Sequence, residues 1–76
     1  MNNTRRKALS KIKEQIEDLK MALEEVLEEE QEYLDNMPEN LQNSERCEKA
    51  EECAYSLEEA VSNLDYAIEN IESAIE

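Results

Sequence analysis

Apolar residues recur along the first half of the chain at alternating steps of three and four. They are Leu9, Ile12, Ile16, Leu19, Leu23 and Val26, then Tyr33 and Met37, with one interruption at Glu30. That spacing is the a/d repeat of an amphipathic helix packed along a seam. Thr4 is the expected N-cap. The helix should stop near Asn36, because the residue before Pro38 is pushed out of the α region. A second repeat follows at Cys47, Ala50, Ala54, Leu57, Val61, Leu64, Ile68, Ile71 and Ile75, with Asn43 or Ser44 as its cap. Residues 36–43 read as the only loop, with Pro38 placed to start a short helical turn. The pattern predicts an all-α fold, an antiparallel two-helix hairpin in a single domain 1–76. Its helices run over about 4–36 and 44–75, with a turn at 37–43.

The rows beside the seam fix its expected register. The e row of the second helix is Glu51, Glu58, Asp65 and Glu72, and that of the first begins Arg6, Lys13, Lys20. A fold centred on residue 40 sets Arg6 by Glu72, Lys13 by Asp65 and Lys20 by Glu58. Such pairs contribute about 0–1 kcal/mol each, so their value is as a register signal. On the other flank the g rows meet, with Ala8, Gln15 and Ala22 beside Ala74, Ala67 and Ala60, and Cys53 continuing the second row. This small-residue face exceeds what two helices cover. A second hairpin would cover it, giving a four-helix homodimer with Ala8, Ala22, Cys53, Ala60, Ala67 and Ala74 as self-association residues. A foreign helix in the same groove is the alternative. Glu30 falls at an a position facing Ala50; either its stem reaches solvent past the small neighbour or it specifies register.

Composition narrows the class. A chain of 76 residues with no Gly, no Trp, no Phe and one Pro is that of long helices. A core of this size is marginal without staples or oligomerisation. With no His and two Cys, a structural zinc site is not expected. Cys47 and Cys53 lie roughly 9 Å apart along one helix, too far for a bridge. Both read as reduced, small packers of a cytoplasmic protein. No apolar stretch approaches the roughly 18 residues of a membrane span, and the basic start lacks the apolar core of a signal peptide.

The net charge is −13. Residues 1–20 hold six basic and three acidic side chains, and residues 21–76 two and eighteen. Direct binding to nucleic acid or to an anionic membrane is therefore not expected, whereas a protein partner with a basic surface is. Catalysis finds little support. The acid run from Glu24 to Glu32 lacks the Glu-x-x-His of a di-iron bundle and the Gly of a calcium loop, so no metal or other cofactor is expected. The plain reading of that run is a solvated helix face. The functional reading makes Glu25, Glu28, Glu29, Glu32, Asp35 and Glu39 a partner-binding set, a carboxylate-studded rod able to occupy a nucleic-acid groove on another protein. Tyr55 and Tyr66 share an outer face, off the apolar rows, and join that set; Met21 is outside too. Tyr33 is assigned to the core. Arg5, Arg6 and Lys7 form a weak candidate for phosphate binding, which oligomerisation would turn into a nucleotide-sequestering site.

The turn Asn36-Met37-Pro38-Glu39-Asn40-Leu41-Gln42, followed by Ser44-Glu45-Arg46 and Glu48-Lys49-Ala50-Glu51, resembles the centre of short acidic hairpin proteins of phages and prophages of Gram-positive bacteria. Those proteins share a Leu/Glu-rich first helix and an Ala/Leu/Ile-rich second. Cys47 departs from the group, where Tyr is frequent. The resemblance implies a small inhibitor or counter-defence protein acting on a host component. A structural, oligomerising coiled coil with no inhibitory role is the other expectation.

Overall fold

The computed structural model describes residues 1–76. Helix α1 (Asn3–Asp35) and helix α2 (Glu45–Ile75) are joined by a 3-10 turn at Glu39–Leu41. They pack against each other as an antiparallel hairpin, a rod of 59 × 15 × 13 Å. The cap of α1 is Asn2, not Thr4: its side chain accepts the Arg5 N–H at 2.8 Å. Asn outranks Thr as a cap, and starting there adds the Arg6 N–H to Asn2 carbonyl bond at 3.1 Å. α1 stops at Asp35, where the Asn36 N–H reaches the Glu32 carbonyl at 3.0 Å and the Met37 N–H reaches Leu34 at 3.2 Å. Pro38 is extended (φ −60°, ψ 149°) and opens the 3-10 turn. Ser44 then closes the connection. Its hydroxyl donates to the Leu41 carbonyl and accepts the Cys47 N–H at 3.3 Å.

The core is thin. Met37, Cys47, Ala50, Ala54 and Ile68 are the buried residues, and all but Ile68 lie at the turn end. There the seam residues of α2 are small, so the two helices can approach closely. Along the rest of α2, Leu57, Val61, Leu64, Ile71 and Ile75 are half-buried on the expected seam.

α1 is rotated from its expected setting. The residues it turns toward α2 are Arg6, Leu9, Lys13, Ile16, Lys20, Leu23, Leu27, Glu30 and Leu34, all half-buried. These are the a and e rows. The d row assigned to the core lies outside: Ile12 is 44 % exposed, Leu19 65 %, Val26 49 % and Tyr33 46 %. Two causes act together. Turning the e row inward shortens the reach of Lys13 and Lys20 to the acidic row of α2. Near the turn, Leu34 fits the Ala-lined seam, whereas the larger Tyr33 with its hydroxyl would have to be desolvated there.

The chain exposes 5976 Å². A compact monomer of 8.9 kDa exposes about 4,800 Å² by the usual scaling. The rod therefore holds roughly 1,200 Å² in excess, as its elongated shape requires.

Glu30 sits half-buried on the a row and makes no hydrogen bond or ion pair from its side chain. Nothing else in the seam needs its carboxylate, so Glu30→Leu is predicted to stabilise the hairpin by about 1 kcal/mol. Thermal unfolding should show Tm rising by about 4–8 °C. The mass in solution should stay that of wild type; a changed oligomeric state would make Glu30 a specifier instead.

Candidate interaction surfaces

One flank of the rod carries the cross-helix polar contacts. Lys13 pairs with Glu72 at 3.5 Å, Lys20 with Asp65, and Gln31 Nε2 donates to Glu58 at 3.1 Å. The e rows thus face each other as expected, but one heptad out of the expected register. The cause is side-chain direction. Helical side chains lean toward their own N-terminus, so the lysines reach toward the open end of the hairpin while the acids lean toward the turn. Arg6 has no e-row acid left to meet. Its Nε donates to the Ile75 carbonyl at 3.1 Å and tethers the last turn of α2, where a cation also opposes the helix dipole. The basic cluster Arg5–Lys7 is therefore split, with Arg5 and Lys7 exposed and Arg6 committed to the fold.

Lys13 and Lys20 also meet Glu17 at 3.9 Å and Glu24 at 4.0 Å along α1. The hydrogen bond to Asp65 is the main reason the Lys20 ammonium titrates above its ordinary 10.5, with the fields of Asp65, Glu24 and Glu17 adding to it and partial desolvation opposing it. A raised lysine pKa stabilises the folded chain below the unfolded value and loses that contribution as pH rises through the folded one.

The partner-binding carboxylates named from the sequence are all exposed. Glu25, Glu28, Glu29, Glu32 and Asp35 occupy rows c, f and g, centred about 170° around α1 from the seam. They form a strip about 15 Å long on the back of α1, with no ion pair to any of them, and Glu39 continues it onto the turn. Tyr55 and Tyr66 are exposed by 64 % and 68 % on the back of α2. The two helix backs point in opposite directions, so the structure does not join the Tyr pair to the α1 strip. Tyr55 has acids of its own: Glu51, Glu52, Glu58 and Glu59 stand three and four residues either side of it on the same helix face. Tyr66 has Ser62, Asn63, Glu69 and Asn70 at those positions.

The remaining flank is apolar and open. Of the expected self-association row, Ala8, Ala22, Cys53 and Ala74 are exposed, and Ala60 and Ala67 are half-buried. Beside them runs the displaced d row, Ile12, Leu19, Val26 and Tyr33. This stripe is the main feature missed by reading a single a/d seam. Its signal was present in Leu27 and Leu34, which repeat at seven residues on the e row and give α1 a third apolar row.

Cys47 and Cys53 are both free thiols, the first buried and the second exposed, so only Cys47 is a packer. Burial, then the hydrogen bond from its Sγ to Glu51 at 3.5 Å and the nearby carboxylates, raises the Cys47 thiol above its ordinary 9.0. No pocket opens in the rod, and no three His, Cys, Asp or Glu side chains are grouped to hold a metal ion. No helix is long and apolar enough to cross a membrane.

No protein-family model, no curated protein and no solved structure matches this chain. The surfaces themselves are what a functional reading rests on.

Two outcomes follow from the titrating groups. Iodoacetamide at neutral pH should label Cys53 rapidly and Cys47 only as the hairpin opens, which mass spectrometry of timed samples would show. In melts above pH 10.5, wild type should lose stability that the Asp65→Asn variant, lacking the pair, does not lose over that range.

Proposed function

We propose that the chain is a non-enzymatic acidic binding module that occupies a basic surface of a partner protein. One observation supports this above the others. The strip Glu25, Glu28, Glu29, Glu32, Asp35 is unpaired, continuous and set on the side of α1 turned away from α2. Charge kept for solubility alone has no need of one continuous row. The mutual repulsion of these carboxylates destabilises α1 and is relieved by a cationic surface. Tyr55 among Glu51, Glu52, Glu58 and Glu59 gives the back of α2 an aromatic anchor of the type frequent at binding hot spots.

A rod 15 Å across and lined with carboxylates offers a protein groove built for nucleic acid a substitute for the phosphate backbone. The likeness of the turn to phage-borne acidic hairpins supports the narrower reading, an inhibitor of a bacterial defence or nucleic-acid enzyme acting in the host cytoplasm.

Competition tests this. The full chain should displace duplex DNA from a DNA-binding protein with a basic groove at low salt and lose that ability at high salt. Replacing Glu25, Glu28, Glu29 and Glu32 together by Gln should weaken competition by roughly tenfold or more and flatten the salt dependence. Failure to compete at any salt, or equal competition by the four-Gln variant, would remove the reading.

A further inference from the structure

The open stripe on α1 is a different surface from the acidic strip, and it has a repeat of its own. Ile12, Leu19, Val26 and Tyr33 recur every seven residues, the period of a helix seam. A seam of four such residues without a facing helix is unfinished.

We propose that a second copy of this chain covers it, with the two α1 helices packed antiparallel about a two-fold axis between Ala22 and Leu23. The charge distribution selects this arrangement. The turn half, residues 21–59, holds fourteen acidic and two basic side chains. The open half holds six basic side chains, all in residues 1–20, against three acids there and four in residues 60–76. A parallel dimer would stack the two strongly acidic halves on each other. The antiparallel one sets each acidic half beside a nearly neutral half, and in that bundle α1 lies on α1.

The register then closes on itself. Ile12 meets Tyr33 of the second copy, Leu19 meets Val26, and Ala22 at the axis lets the helices approach. At the outer edge Lys11 comes beside Glu32 and Gln15 beside Glu29 of the second copy. Asp18 and Glu25 form the one like-charged match, at an exposed edge where salt screens it. Two copies of net charge −13 repel each other, so added salt tightens this dimer, the opposite of its effect on a charge-driven complex with a basic partner, and salt tells the two proposals apart although they share Glu25, Glu29 and Glu32.

Light scattering coupled to chromatography on the full chain tests the pairing. Wild type should run at twice the chain mass of 8.9 kDa, with a dissociation constant that falls as salt rises. Leu19→Glu adds a charge where the hairpin alone leaves the side chain exposed. It should keep its helical circular dichroism while the dimer weakens by about a hundredfold or more. Orientation is read in a Cys53→Ser background, where oxidation should give a covalent dimer on a non-reducing gel with Ala22→Cys and none with Ile12→Cys, whose two copies lie roughly 30 Å apart in the antiparallel seam but side by side in a parallel one. A monomeric wild type, which would leave the stripe to a foreign helix, overturns the proposal, as does a Leu19→Glu variant with unchanged mass. A dimer that does not cross-link at position 22, or that cross-links at position 12, overturns the antiparallel seam.

Discussion

α1 carries three adjacent rows with apolar members, and the chain supplies one helix to cover them. A single partner helix shields an arc of roughly two heptad rows. The a row is common to every solution, so the choice lies between d and e. The e row goes inward because it serves two purposes at once. At the open end Arg6, Lys13 and Lys20 reach the carbonyl of Ile75 and the carboxylates of Glu72 and Asp65. At the turn end Leu27 and Leu34 lie over the small residues of α2. The open stripe of Ile12, Leu19, Val26 and Tyr33 follows from that one rotation.

Electrostatics reinforces the choice without driving the fold. Exposed ion pairs are worth little individually, and burial of Cys47, Ala50, Ala54, Met37 and Ile68 does more to hold the helices together. The six cations of residues 1–20 are nevertheless concentrated where α2 ends in acids. That neutralises the open half and leaves the turn half with nearly all of the net charge of −13. A charge gradient along a rod 59 Å long gives it a direction, which an evenly acidic coiled coil would lack.

The two helices, the Pro38 turn and the meeting of the e rows were legible from spacing and residue type alone, and the cap of α2 was narrowed to Asn43 or Ser44, of which Ser44 is the one used. These features depend on local chemistry or on a period that many residues repeat. The rotation of α1 was not legible, because the d row (Ile12, Leu19, Val26, Tyr33) is more apolar than the e row that won, which carries Arg6, Lys13 and Lys20 beside Leu27 and Leu34. The deciding quantities were the width of the facing seam and the lean of the lysines, both properties of the assembled pair. The one-heptad offset of Lys13 and Lys20 has the same origin, since a residue-by-residue register ignores where a helical side chain points. Asn2 displaced Thr4 for a simpler reason: two acceptable caps lay two residues apart, and the better one also lengthens the helix. The acidic strip and the exposed Tyr pair could be placed on their helices from the sequence. That the two helix backs point apart emerges only once the seam is fixed.

The proposed dimer changes what a partner would meet. Rows c and g of α1 border the stripe, so pairing draws Glu25, Glu29 and Glu32 toward the second copy, with Lys11 and Gln15 against two of them. Glu28 and Asp35 on row f, Glu39 on the turn and the acids around Tyr55 stay outside. An antiparallel dimer then carries one such patch near each end of the rod, related by the two-fold axis and facing separate partners or a symmetric one. Two linked contacts raise apparent affinity well beyond that of either when the partner's sites match the spacing. A monomer would instead present its whole strip to a single groove. The balance between self-pairing and partner binding therefore turns on the same three glutamates. Salt shifts that balance toward the dimer, and a sufficiently basic partner shifts it away.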